Sequence, residues 1–147
     1  MNKAIEFMLQ VRDIDNQIAN LEEQIEMWRL QACRCTADPS STPSGGGCGY
    51  SRMEEYTIRA LDAERDCERL RDALTSVKQH VVATVEKIPD ITQRRVLLHR
   101  YIYRKNCHHL TSWDDVAAAV NYSKPQVIRI HGKALLALNK IIKDDTQ

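Results

Sequence analysis

From Ala4 to Trp28 the apolar residues recur at alternating intervals of three and four: Ala4, Phe7, Val11, Ile14, Ile18, Leu21, Ile25 and Trp28. That alternation averages close to one helical turn, so these side chains form one narrow seam on a helix predicted over residues 3–35. Neither Pro nor Gly interrupts it. At 1.5 Å per residue, the rod's stretch 3–33 alone is about 45 Å long. A second seam follows, through Met53, Tyr56, Ala60, Ala63, Cys67, Leu70, Leu74, Val77, Val81, Thr84 and Ile88, and predicts a helix over 52–88. Between the rods lies TADPSSTPSGGGCGYS, residues 36–51, with two prolines and four glycines. It cannot continue a helix and is predicted to be a flexible connector. Two seams of similar length joined by a loop fold back as an antiparallel hairpin. A seam this narrow can also be satisfied by another chain, so a homodimer through the long helices is the alternative.

The texture changes at Pro89-Asp90, which divides a rod domain, 1–88, from a second domain, 89–147. Beyond it, Thr92 to about Lys105 reads as helix, with Val96, Leu97, Tyr101 and Ile102 as the apolar stripe and Arg94, Arg95, Arg100 and Arg104 between. Asn106 to Leu110 breaks that helix. Thr111-Ser-Trp-Asp-Asp then offers two overlapping capping boxes, Thr111 with Asp114 or Ser112 with Asp115. A short helix carries Trp113, Ala117 and Val120 on one side, and Asn121 suits a left-handed stop. Ser123 starts the last helix, with Gln126 three residues on and Pro125 in the first turn, where a missing N–H costs nothing. That helix runs to about Lys143, with Val127, Ile130, Ala134, Leu138 and Ile141 on one face. Short helix, tight turn and longer basic helix are the helix-turn-helix layout. The expected fold class is therefore all-α: a long, coiled-coil-like antiparallel hairpin followed by a small helix-turn-helix domain.

Placed at 100° per residue, the side of the last helix opposite its apolar face shows Pro125, Ile128, Arg129, Gly132 and Lys133, flanked by Lys124 and Gln126. No acid interrupts this helix until Asp144. Such a face suits the major groove: Arg129 can pair bidentately with guanine, Gln126 with adenine, and Ile128 can touch a thymine methyl. The candidate DNA-binding residues are thus Lys124, Pro125, Gln126, Ile128, Arg129 and Lys133. Gly132 costs about 1 kcal/mol in mid-helix relative to Ala, which close approach of a phosphate or an unselected surface position would equally explain. His131 lies at the edge of the apolar face, and is expected to be a partly buried histidine rather than a DNA contact.

WDDVAAAVNYSKPQVIRIHGKALLAL resembles the C-terminal helix-turn-helix of bacterial sigma factors, where an "eIA..l..S" pattern leads to "S…V..I...AL..L". Val116, Ala117, Val120, Ser123, Val127, Ile130, Ala134 and Leu135 carry the pattern, and RRVLLHRYIYR resembles the preceding helix of that domain. The layout of the whole chain is similar to that of small phage or prophage proteins of Gram-positive bacteria. These combine a long N-terminal helix, a Thr/Ser/Pro/Gly loop and a sigma-like C-terminal domain, and relatives are classed as late-gene transcriptional regulators. The resemblance implies a transcriptional regulator that binds double-stranded DNA, with RNA polymerase as a further candidate partner. It places DNA contacts at Lys124, Pro125, Gln126, Ile128 and Arg129. Pro125 and Ile128 depart from the polar types common there, so base preference does not carry over. No segment resembles the promoter-melting regions, so a complete sigma factor is not expected. Two other readings remain: a small-terminase-like DNA-recognition subunit for phage packaging, and a helical interaction protein whose helix-turn-helix is only structural.

Charge agrees with an anionic partner for the C-terminal part. Net charge is +1 over the chain, but −4 over residues 1–89 and +5 over 90–147. Such asymmetry is expected where one part meets a polyanion. Aromatic residues make up 5% and charged residues 28%, a balance that suits long amphipathic helices. No apolar run approaches the roughly 18 residues of a membrane span, and the N-terminus has no apolar leader core, so a cytoplasmic protein of the bacterial host cell is expected. Five cysteines, at 33, 35, 48, 67 and 107, make a disulfide framework unexpected in that setting. Cys33, Cys35 and Cys48 lack the second pair of a zinc site, and the adjacent residues of Cys107-His108-His109 cannot turn inward together. No P-loop, Gly-x-Ser-x-Gly or His-Glu-x-x-His motif occurs. No catalytic residue, metal or cofactor is expected.

Overall fold

In the computed structural model, residues 2–37, 48–104 and 109–147 are described, with side chains for 2–35, 52–104 and 109–147. The fold is all-α, without strands among these residues. Helix α1 spans Lys3–Ala37 and α2 Cys48–Glu86. Both extend into the segment expected as a loop, whose middle, 38–47, lies outside the described residues, as do Cys107, His108 and most of the expected break at 106–110. Helix α3, Ile91–Leu97, runs on into a π turn, Leu98–Ile102; α4 is Trp113–Val120 and α5 Lys124–Asp145. None of these helices is long and apolar enough to cross a membrane.

Contacts divide the chain into two compact units, residues 17–72 and residues 1–16 with 73–147. In residues 17–72, α1 and α2 pair antiparallel, as their contacts demand: Glu22 meets Arg71 at 2.7 Å, Arg29 meets Glu64, and Trp28 stacks on Tyr56 with centroids 5.8 Å apart. The buried seam consists of Ile18, Ile25, Ala60, Ala63 and Cys67, all positions that the three-and-four spacing picks out.

The other unit has a thicker core. Ala4, Met8 and Val11 of α1, Val81 and Val85 of α2, and Ile88 share one cluster with Leu97, Tyr101, Ala134, Leu135 and Leu138. Met8 and Val85 lie off the expected seams. They are buried because here the rods meet α3 and α5 as well as each other, and a helix with neighbours on two sides buries a wider stripe than an a/d seam. A second cluster, Val96, Val116, Ala117, Val120 and Val127, joins α3, α4 and α5, with Trp113 and Ile130 against it.

Local chemistry explains the short helices. Asp90 caps α3, its carboxylate accepting from the amides of Thr92 at 2.8 Å and Gln93 at 3.4 Å. Arg94 donates to the carbonyls of Ile88 and Pro89, which the turn would otherwise leave open. The helix expected from Thr92 to Lys105 does not stay α: the Tyr103 amide donates to the Leu98 carbonyl at 2.8 Å, a five-residue step.

Candidate nucleic-acid interface

The turn between α4 and α5 is Asn121-Tyr122-Ser123. Ser112, the alternative that the capping boxes left open, is the N-cap of α4; its hydroxyl accepts from the Asp115 amide at 3.2 Å. Asn121 stops the helix in the left-handed region, at φ 59° and ψ 40°, a conformation that Asn tolerates better than most residues. It is the one described non-glycine residue with positive φ. Arg95 reaches from α3 to the carbonyl of Ala119 at 3.0 Å, bringing a cation to the C-terminal turn of α4. Val116, Val120 and Val127 close the angle between the two helices from inside.

Ser123 begins α5 as expected. Its amide donates to Gln126 Oε1 at 3.1 Å, and its hydroxyl donates to the same oxygen at 2.9 Å. Gln126 is therefore the cap partner. Bidentate pairing with adenine needs that oxygen as an acceptor, so base reading by Gln126 would have to share or release the cap.

Pro125, Ile128, Arg129, Gly132 and Lys133 are all exposed. Ile128 keeps 46% of its surface in solvent, and a Cβ added at Gly132 would meet nothing within 4 Å. Lys124 is exposed too, but its ammonium lies 3.5 Å from the Asp114 carboxylate. Asp114 thus brings one negative charge to the edge of an otherwise acid-free face. The inward residues Val127, Ala134, Leu135 and Leu138 are buried, so the division of α5 into an inner apolar and an outer basic side holds.

His131 sits in an aromatic box on the inner side of this face. Its Nε2 lies 3.0 Å from the Tyr101 hydroxyl, its ring stacks on Tyr101, and Trp113 meets it edge-on with centroids 4.8 Å apart. Arg100 lies over the Trp113 ring, 4.3 Å from its centroid, and donates to the Thr111 carbonyl. Burial first, and the nearby Arg100 cation second, push the His131 pKa down to about 4. Burial also raises that of Tyr101. At neutral pH the pair is uncharged and shares one hydrogen. The box ties the π turn, the start of α4 and the middle of α5 together.

Two surface features were not singled out from sequence. Tyr122, in the turn itself, is 43% exposed beside the start of α5. The outer stripe also continues past Lys133 through Leu136, 64% exposed, to Lys140 and Lys143. The stripe follows from spacing alone: residues 136, 140 and 143 fall within about 40° of Arg129 on the helix wheel. Among the described residues no group of three His, Cys, Asp or Glu side chains is placed to hold a metal ion. Compared with family models, with curated proteins and with solved structures, the chain gives no match.

Proposed function

We propose that this chain is a double-stranded-DNA-binding transcriptional regulator of phage or prophage type, and that α5 enters the major groove by its N-terminal half. The observation that carries this reading is the outer face of α5. Arg129 and Lys133 stand exposed on a side to which α5 itself contributes no acid, next to an open Gly132 and Ile128, on a helix held by a tight turn against α4. Arg129 is the residue placed to read a base edge, since its planar fork matches the acceptors of guanine. Lys133, one turn further along, is placed for a phosphate, where a point charge suffices. Gly132 between them leaves room for the sugar-phosphate backbone. The resemblance of residues 113–138 to the sigma C-terminal helix-turn-helix supports the same residues, and with them RNA polymerase as a candidate partner.

Selection of bound duplexes from a random pool, at stated salt, tests the reading. Enrichment of a defined site is expected, followed by an affinity for that site that falls steeply with salt. Recovery of random sequence with no salt-dependent binding would remove DNA as the partner, and leave α5 as a protein-facing helix.

A further inference from the structure

We propose that residues 17–72 form a docking groove for the C-terminal half of α5 of a second copy of this chain. The groove, with a volume of about 640 Å³, runs along the antiparallel pair of α1 and α2. Its floor is Ile25 and Cys67, 8% and 2% exposed. Two ion pairs cross it, Glu22 with Arg71 and Arg29 with Glu64. Both arginines of the lining are taken up in these pairs. In the stretch between them the charged groups of the lining are Glu26 and Glu68, both exposed.

This part of the chain is short of core. Among its described residues the buried hydrophobics are two isoleucines, two alanines and a cysteine. Three of those five bury little area, so a further apolar side chain laid in the groove adds to a thin core. The same residues, 17–72, carry net −4, while the rest of the chain carries +5.

The occupant must then be a helix with an apolar knob between cations. That description fits α5: Leu136, 64% exposed, lies on one stripe with Lys133 and Lys140. Lys133 and Lys140 are two helical turns apart, about 10 Å, and the two crossing ion pairs have the same separation along α1. Leu136 over Ile25 and Cys67 places the two lysines within reach of Glu26 and Glu68. Groove against groove is the poorer match, because each lining holds four carboxylates and two guanidinium groups, and two copies face to face would add like charge. The contact is therefore heterologous, the stripe of one copy in the groove of the next, and it propagates unless it closes on itself. It does not rest on the DNA reading: the two share Lys133, but Leu136 and Lys140, the positions varied below, have no part in that reading.

Light scattering across a wide concentration range, at low and high salt, tests the proposal on the full chain. At low salt the mass is expected to rise above the 16.9 kDa monomer, and to fall back at about 1 M salt, where charges are screened beyond roughly 3 Å. Glu26→Arg with Glu68→Arg, and separately Leu136→Glu with Lys140→Glu, should each weaken association by roughly tenfold or more. An equimolar mixture of the two variants should associate again, since the intact stripe of one meets the intact groove of the other. Glu54→Arg with Asp62→Arg, exposed but outside the lining, should change nothing. All these positions are exposed, and a circular dichroism melt verifies that each variant folds. A wild-type chain that stays monomeric throughout overturns the proposal. So does association that survives both double variants, or a mixture that fails to associate.

Discussion

The guanidinium of Arg104 is paired with the carboxylate of Asp15, 89 positions earlier, with side chains only 3% and 13% exposed. One charge stands just after the π turn and the other on α1, so the ion pair fastens α1 to the end of the segment that begins with α3. Removing one member of a buried pair costs more than the pair contributes, because the remaining charge stays desolvated. Asp15→Ala is expected to destabilise the protein by about 2–4 kcal/mol in urea unfolding. Replacing both residues with leucine should recover part of that loss. A single variant as stable as wild type would mean that Arg104 is satisfied without Asp15.

His131 ties stability to pH. Its folded pKa, about 4, lies below the ordinary 6.5, so the unfolded chain takes up a proton that the folded chain refuses. Stability from this group is complete above pH 6.5 and is lost as pH falls toward 4. The loss is about 1–2 kcal/mol once partial solvent screening is allowed for. His131→Asn should flatten the difference between unfolding curves at pH 7 and pH 4.5 by that amount, against the background of titrating carboxylates. An equal pH dependence in both proteins would show that His131 charges freely in the folded state.

Arg129→Ala and Lys133→Ala separate base reading from phosphate contact. The first is expected to lose about 1–3 kcal/mol of specific binding and to relax preference at one base pair. The second should weaken all sequences alike and flatten the salt slope by about one unit. Titration of labelled duplex at several salt concentrations measures both. If neither changes binding while the fold persists, α5 does not read DNA.

Gly132→Ala sets stability against binding at one position. Nothing lies within 4 Å of the added methyl, so the variant should gain about 1 kcal/mol of stability through helix propensity. If a phosphate approaches the α5 backbone there, DNA affinity should fall in the same protein. A more stable variant with unchanged affinity would assign Gly132 to bare surface.

Much of this was legible in residue spacing. The three-and-four seams located both rods, and Asn121 and Ser123 marked the turn because their roles are local: one tolerates positive φ, the other caps with Gln126. The π turn was not legible, because Leu98 to Ile102 is as good an α-helix sequence as its neighbours; the turn coincides with the burial of the Tyr101 and Arg104 side chains, which depends on residues distant in sequence. Met8 and Val85 were missed for a related reason. A seam read on one helix assumes one neighbour, and nothing local to Met8 says that Leu97 and Leu138 belong to its cluster. At the candidate interface, spacing found the outward residues and the cap partner Gln126, but not that Lys124 leans toward Asp114.

The core that joins Ala4, Met8 and Val11 to Ala134 and Leu138 bears on how the protein comes into being during synthesis. Residues 17–72 contain both partners of their own helix pair and can collapse on themselves while the ribosome is still adding chain. The larger unit cannot, since its first contributors must wait, apolar side chains uncovered, for α5 to emerge. Contacts of such sequence separation form slowly and leave sticky intermediates. The chain therefore passes an aggregation-prone interval just before α5 emerges, and a fragment carrying only α3 to α5 would emerge without the apolar surface that α1 and α2 provide.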